Sequence, residues 1–110
     1  MDITDDMIEK ALDYLRDTAT ESAQHRANRI YMEEARKVIK AKLMGEHADL
    51  SIGAQEREAY SDERYTEHLE AMRTAIEFDE NSRFLRAAAE AKIEAWRTLN
   101  ANLRTQGKIG

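Results

Sequence analysis

The sequence contains no cysteine, no proline, only four glycines and 6% aromatic residues in 110 positions. The lack of cysteine excludes disulfides and thiolate metal sites. The lack of proline, with so few glycines, removes most helix breakers, so we expect long uninterrupted helices, and the usual signals of β-sheet are missing. No apolar run approaches the roughly 20 residues of a membrane span, and the acidic start is unlike a signal peptide. We therefore expect a cytoplasmic protein that makes no membrane contact.

Charged residues make up 35% of the chain, and they fall into four blocks of alternating sign. Each acidic block holds seven acids against two bases, and the basic blocks hold six and five bases against two acids each. In chain order the blocks are residues 1–21 (acidic), 22–43 (basic), 61–82 (acidic) and 83–104 (basic). The net charge of the whole chain is −5, which provides no global attraction to nucleic acid or to acidic membranes.

This alternation is explained if the chain folds back on itself about residues 45–53. Each basic block then lies beside an acidic one. The pattern predicts that the second and third blocks run antiparallel, with Leu43 near Ser61 and Ser22 near Arg83.

Local signals divide the chain further. Thr4 and the acids after it are typical of a helix start, and Thr18-x-x-Glu21 has the capping-box form and could break or restart the helix. Gly45 is a natural helix stop, and Ser61 with Asp62 offers a new N-cap. We predict one helical domain over residues 1–110, with an arm at 4–44, a loop or short helix at 45–60, an arm at 61–104 and a frayed tail at 105–110.

Apolar residues recur at helical spacing along both arms, and a hairpin two helices thick cannot hide all of them. A second subunit is expected to cover one set, and alanines in the first arm would let two helices approach closely. The fold class predicted is all-α: a long antiparallel helical hairpin, coiled-coil-like and oligomeric. The predicted oligomer interface consists of Leu12, Leu15, Trp96, Leu99 and Leu103, and the alanine face of Ala19, Ala23, Ala27, Ile30, Val38 and Ala41.

The sequence offers little for catalysis. The three histidines lie in no metal-ligand spacing, and each is interpreted as a solvated side chain. The carboxylates Glu77, Asp79 and Glu80 are interpreted as an acidic face paired with bases opposite. With no phosphate-binding loop and no nucleophile motif, we expect no enzyme, no metal, no cofactor and no small-molecule substrate.

Binding is the remaining possibility. A basic run in the second block surrounds Tyr31, which could stack on a base while the cations track the phosphates of single-stranded DNA. The alternative is that residues 61–82 neutralise these cations within the chain. The candidate nucleic-acid-binding residues are Arg29, Arg36, Lys37, Lys40 and Lys42.

Three strings also carry a resemblance: Arg29-Ile-Tyr-Met-Glu-Glu-Ala-Arg-Lys-Val-Ile-Lys-Ala-Lys-Leu-Met44, Gln55-Glu-Arg-Glu-Ala-Tyr60, and Ile93-Glu-Ala-Trp-Arg97 within residues 83–104. The chain resembles small helical proteins encoded by bacteriophages. The order of its parts is similar to that of phage recombination mediators, which load a recombinase on single-stranded DNA coated by a single-strand-binding protein and assemble as homo-oligomers. The resemblance covers roughly residues 25–104, and the residues that match the basic helix of those mediators are Arg36, Lys37, Lys40 and Lys42.

Two functions follow as expectations. The first is a phage accessory protein of DNA recombination or replication in the host cytosol. It would bind single-stranded DNA and a partner, a recombinase or a single-strand-binding protein, without catalysis. The second is a structural or inhibitory phage protein that docks on a host or phage protein through an acidic helical surface and binds no DNA.

Overall fold

The computed structural model describes the backbone of residues 2–109 and the side chains of residues 2–107, and α-helix is the only regular structure in that range. Four helices are present in it: α1 (Asp5–Asp17), α2 (Ala19–Gly45), α3 (Ile52–Ser61) and α4 (Glu63–Ile109). None of these helices is long and apolar enough to cross a membrane. The prediction of an all-α fold is confirmed.

The first arm is divided at Thr18. Its backbone lies outside the regular helical range, and its hydroxyl donates to the carbonyl oxygen of Tyr14 at 2.6 Å. The same hydroxyl accepts a hydrogen bond from Arg86 on α4 at 3.0 Å. The N–H of Ser22 already bonds to the carbonyl of Thr18 at 2.9 Å, so helical bonding resumes at once. The helix breaks where the sequence indicated, and the threonine hydroxyl is used by the preceding turn and by α4.

In the turn between the arms, short polar side chains cap the ends of the helices. The first arm ends at Gly45, as predicted, and Ser51 caps α3 by accepting a hydrogen bond from the N–H of Ala54 at 3.3 Å. Asp62 separates α3 from α4, and its Oδ1 accepts from the N–H of Arg64 at 2.8 Å. The predicted N-cap at this position is therefore confirmed.

The second arm is one continuous helix. It extends past Arg104 to Ile109, so helical bonding continues into the segment 105–110 that was expected to fray. The hydroxyl of Thr105 donates to the carbonyl of Ala101 at 3.0 Å, which is a bond along the helix. Gly110 lies outside the described residues.

The chain divides into two compact units, one of residues 1–22 with 81–110 (unit 1) and one of residues 23–80 (unit 2). That both belong to one folding domain stays a prediction. In unit 1, α1 lies antiparallel to the C-terminal part of α4. Two hydrogen-bonded pairs establish this direction, Asp5 with Trp96 and Leu15 with Arg86. Ser22, in the first turn of α2, continues the same register by bonding to Ser82.

Unit 2 is an antiparallel hairpin of α2 and the first part of α4, with α3 in the connection between them. Its contacts run from Glu46 with Arg64 at the turn, through Met32 with His68, to His25 with Phe78. The antiparallel hairpin predicted from the charge blocks is confirmed.

The core of each unit is thin. Ile8, Ala11 and Ala89 are buried in unit 1, and Leu43, Ala59 and Ala75 are buried in unit 2. Because most of these side chains are alanines, the helices approach closely but bury little apolar area per residue. Much of the apolar surface therefore remains at the exterior.

Candidate nucleic-acid interface

Arg29 is held by three carboxylates within unit 2. Its Nε donates to Glu33 at 2.9 Å, and its Nη1 donates to Glu80 at 2.7 Å and to Asp79 at 3.2 Å. Asp79 is only 5% exposed. These hydrogen bonds raise the pKa of Arg29 above its ordinary value, and the bond to Glu33 has the largest effect. The guanidinium is thus committed to the fold, which is the neutralisation that the sequence left as an alternative.

Lys40 is also engaged, but by α3. Its ammonium donates to Glu56 at 2.7 Å and lies 4.8 Å from the centroid of the Tyr60 ring. The hydrogen bond to Glu56 is the main cause that raises the pKa of Lys40, and Tyr60 adds to it. Tyr60 in turn packs edge-to-face on Tyr65, with ring centroids 5.2 Å apart. The partner of Lys40 therefore lies outside residues 61–82, because α3 lies against this part of α2.

Helix geometry explains why these two cations are used internally. Arg29, Arg36 and Lys40 lie on one broad face of α2, and Leu43, two turns beyond Arg36, is buried on the same face. Arg29, Lys40 and Leu43 are turned toward α3 and α4, whereas Arg36, on the same broad face, remains exposed. Part of the face that looked like the centre of a DNA-binding surface is therefore the inner face of the hairpin.

The other three candidates are exposed. Lys37 lies 3.5 Å from Glu34, one turn away on the same helix. Arg36 and Lys42 are exposed and form no ion pair with any residue whose side chain is described. Tyr31 is 70% exposed. The structure thus leaves Arg36, Lys37, Lys42 and Tyr31 open to a ligand, and DNA binding by them stays a prediction.

The alanine face of the first arm is turned outward. Ala23, Ala27 and Ala41 are exposed in unit 2, and so are the larger Ile30 and Val38. The close approach expected of these small residues is not made within the described chain. This face of α2 (Ala27, Ile30, Glu34, Val38 and Ala41) is called the outer face below.

The leucine and tryptophan part of the predicted oligomer interface lies in unit 1. Leu12, Leu99 and Leu103 are exposed there, whereas Leu15 and Trp96 are half-buried. The indole N–H of Trp96 donates to Oδ1 of Asp5 at 3.0 Å. The tryptophan therefore ties α1 to α4 within one chain while the leucines remain open.

Two histidines contact other parts of the chain, whereas the sequence indicated solvated side chains. His25 stacks on Phe78 with ring centroids 5.4 Å apart, and Nε2 of His68 lies 2.7 Å from the carbonyl oxygen of Met32. Both are half-buried. Interpreting them as solvated was wrong. The antiparallel register of the charge blocks, which places residue 25 beside residue 78, was the signal that could have found the first pair.

Sequence reasoning also missed Arg86 and Arg64. Nη1 of Arg86 donates to the carbonyl of Leu15 at 3.0 Å as well as to the Thr18 hydroxyl, so it fastens α4 to the break in the first arm. Arg64 bonds both Glu46 and Asp62 and thereby closes the turn. Within the described residues, no group of three or more histidines, aspartates or glutamates is placed to hold a metal ion.

Comparisons of the chain with protein-family models, with curated proteins and with solved structures found no match.

Proposed function

We propose that this chain is a bacteriophage accessory protein of DNA recombination or replication, which acts by binding single-stranded DNA and a partner protein without catalysis. The observation that carries the DNA part is the exposure of Tyr31 together with Arg36, Lys37 and Lys42 on α2. The resemblance of residues 25–104 to recombination mediators supports the biological setting.

The binding mode follows from the chemistry of these side chains. The two ammonium groups and the guanidinium meet backbone phosphates and release counterions from the strand, while Tyr31 offers a ring on which one base stacks. Contacts to phosphates and stacking on an aromatic ring do not depend on the identity of the base, so binding is sequence-tolerant. Arg29 and Lys40 support the site indirectly, because they hold α2 against α4 and α3.

The same proposal includes self-association through unit 1. Leu12, Leu99 and Leu103 supply exposed apolar surface, and Leu15 and Trp96 lie at its edge. A second subunit that covers the leucines would remove apolar area from water. An oligomer also brings several copies of α2 to one DNA strand, which strengthens binding through avidity.

The test is oligonucleotide binding across a salt series. Arg36→Glu with Lys42→Glu should abolish the shift of a single-stranded oligonucleotide, and the wild-type affinity should fall steeply as salt rises. The matched control is Arg57→Glu with Lys92→Glu, which makes the same change of net charge at exposed cations of α3 and α4. An equal loss of oligonucleotide binding in both double variants would show that only the net charge matters, and it would contradict a site on α2.

A second function is favoured by one observation: carboxylates of the chain already hold Arg29 and Lys40. With two of five candidate cations neutralised, fewer cations remain for DNA. The exposed acids of α4 then offer a surface for a basic partner protein. This alternative predicts no oligonucleotide shift even at low salt. The exposed acids on this part of α4 are Glu63, Glu67, Glu70 and Glu77.

A further inference from the structure

The outer face of α2 is apolar and uncovered. Ile30 is 49% exposed and Val38 is 53% exposed, and Ala27 and Ala41 are exposed on the same side. These side chains lie opposite the inner face that packs on α3 and α4. The outer face is therefore free to take a partner while unit 2 stays intact.

The spacing of this face suits a straight neighbouring helix. Ala27 and Val38 are eleven residues apart, and so are Ile30 and Ala41. An eleven-residue repeat corresponds to about 3.67 residues per turn, close to the 3.6 of an ideal helix. The apolar positions consequently run nearly parallel to the axis of α2 and do not wind around it.

Glu34 lies in the middle of the outer face and forms an ion pair with Lys37 at its edge. Glu34 and Lys37 are 3.5 Å apart, and their side chains are 68% and 70% exposed. An ion pair this exposed contributes little to the stability of a single chain. Its position, one acid and one base on either side of the midpoint between Ala35 and Arg36, makes the face complementary to itself.

We infer that a second copy of this chain docks on the outer face, with the two α2 helices antiparallel about that midpoint. In this register Glu34 of each copy faces Lys37 of the other, so two ion pairs form across the interface and set the alignment. Ile30 of each copy faces Ala41 of the other, so a large side chain meets a small one. The interface is isologous and closed by a two-fold axis.

This surface is distinct from the leucine surface of unit 1, and it does not depend on DNA binding. Tyr31 and Lys42 lie along one rim of the outer face, about three turns apart on the helix. Lys37 is the one candidate cation that the pairing takes up, so Arg36 and Lys42 are the cations that meet phosphates in the paired protein. Pairing at both surfaces makes an assembly larger than a dimer.

Cysteine cross-linking tests the register directly, because the chain has no cysteine of its own. Ile30→Cys with Ala41→Cys should give a covalent dimer on mild oxidation, since residue 30 of one copy lies opposite residue 41 of the other. The single variants are the matched controls. In an antiparallel pair two copies of residue 30 are about 16 Å apart along the axis, which is beyond the reach of a disulfide. Dimer from the single variants, or none from the double variant, would overturn the inference.

Charge-reversal variants, tested alone and mixed, distinguish ion pairs between two copies from the Glu34–Lys37 pair within one helix. Glu34→Lys alone and Lys37→Glu alone, each in the double-cysteine background, should cross-link several-fold less than the parent because like charges meet. Mixing the two should restore cross-linking as heterodimers, identified by mass, since each base then faces an acid of the other copy. A mixture that cross-links no better than its components would contradict the pairing, and circular dichroism of each variant checks that the helices remain.

Discussion

Arg29 and Asp79 are separated by fifty positions in the sequence, and Nη1 of the arginine donates a 3.2 Å hydrogen bond to Oδ2 of the aspartate. The aspartate is buried, and Glu33 and Glu80 supply two further acceptors to the same guanidinium. Because a buried carboxylate needs a partner, this contact fixes how α2 aligns with α4. A slip of one helical turn would leave Asp79 without its donor.

Replacing that carboxylate should therefore destabilise unit 2. We expect Asp79→Ala to lower the midpoint of thermal unfolding by roughly 4 to 8 °C, the effect of about one lost hydrogen bond in a domain of this size. Glu77→Ala is the control, because its exposed pair with Arg73 contributes little. Equal melting temperatures for the two variants, measured by circular dichroism, would show that the buried contact does not stabilise the hairpin.

Leu43 is the largest apolar side chain buried in unit 2, next to the turn. Leu43→Ala should lower the free energy of unfolding by about 2–5 kcal/mol, since it removes buried methyl groups and leaves a cavity in a thin core. Leu50→Ala, at a partly exposed position in the turn, should change it much less. Urea unfolding of both variants makes the comparison, and a small loss for Leu43→Ala would mean that the site collapses around the change.

Acid should weaken the turn between α3 and α4. Hydrogen bonds from Arg64 lower the pKa of Asp62 to about 2, from an ordinary value of 3.8, and they lower the pKa of Glu46 as well. As the pH falls, the unfolded chain protonates these groups before the folded chain does, so their stabilising contribution is present above about pH 4 and is lost toward pH 2.

Asp62→Asn isolates this effect, because asparagine keeps the capping geometry but carries no charge. The difference in unfolding free energy between wild type and this variant should be constant near neutral pH and should shrink between about pH 4 and pH 2. Urea unfolding at several pH values measures it. A difference that stays constant down to pH 2 would contradict the role of the ionised carboxylate.

Self-association at unit 1 can be tested at its exposed leucines. Leu99→Asp with Leu103→Asp should shift the protein toward the monomer in light scattering, because charges would be placed where a second subunit is proposed to pack. Thr98→Asp with Asn102→Asp makes the same change of charge at exposed positions of the same helix. A wild type that is monomeric at high micromolar concentration would contradict the proposed oligomer.

Patterns that repeat along the chain predicted the fold well. The charge blocks indicated the antiparallel register, and the hydrogen bond between Ser22 and Ser82 lies where it was expected. Gly45 and Asp62 marked true helix ends, because capping chemistry is local. The use of Lys40 could not be read from the sequence, since it depends on how α3 lies against α2, and no charge block encodes that orientation.

The candidate site was only partly predictable for a related reason. Arg29 and Lys42 look alike in a sequence, and both were candidates for DNA phosphates. Which of them is free depends on the side of α2 that faces the rest of the hairpin. The outward alanines gave the same ambiguity, because small exposed residues and small buried residues are equally compatible with helical spacing.

The sequence separations between contacting residues also imply an order of folding. Partners are 16 residues apart for Lys40 and Glu56, 18 for Arg64 and Glu46, and 50 for Arg29 and Asp79, whereas Trp96 and Asp5 in unit 1 are 91 apart. Short loops close at a lower entropic cost, so unit 2 should close from its turn outward. Once His25 packs on Phe78, the loop that must close to join the two segments of unit 1 is short. The entropic cost of forming unit 1 is then much lower than the 91-residue separation of Asp5 and Trp96 suggests. Pulsed hydrogen exchange should then show amides near the turn protected before those of α1, and the reverse order would refute this sequence of events.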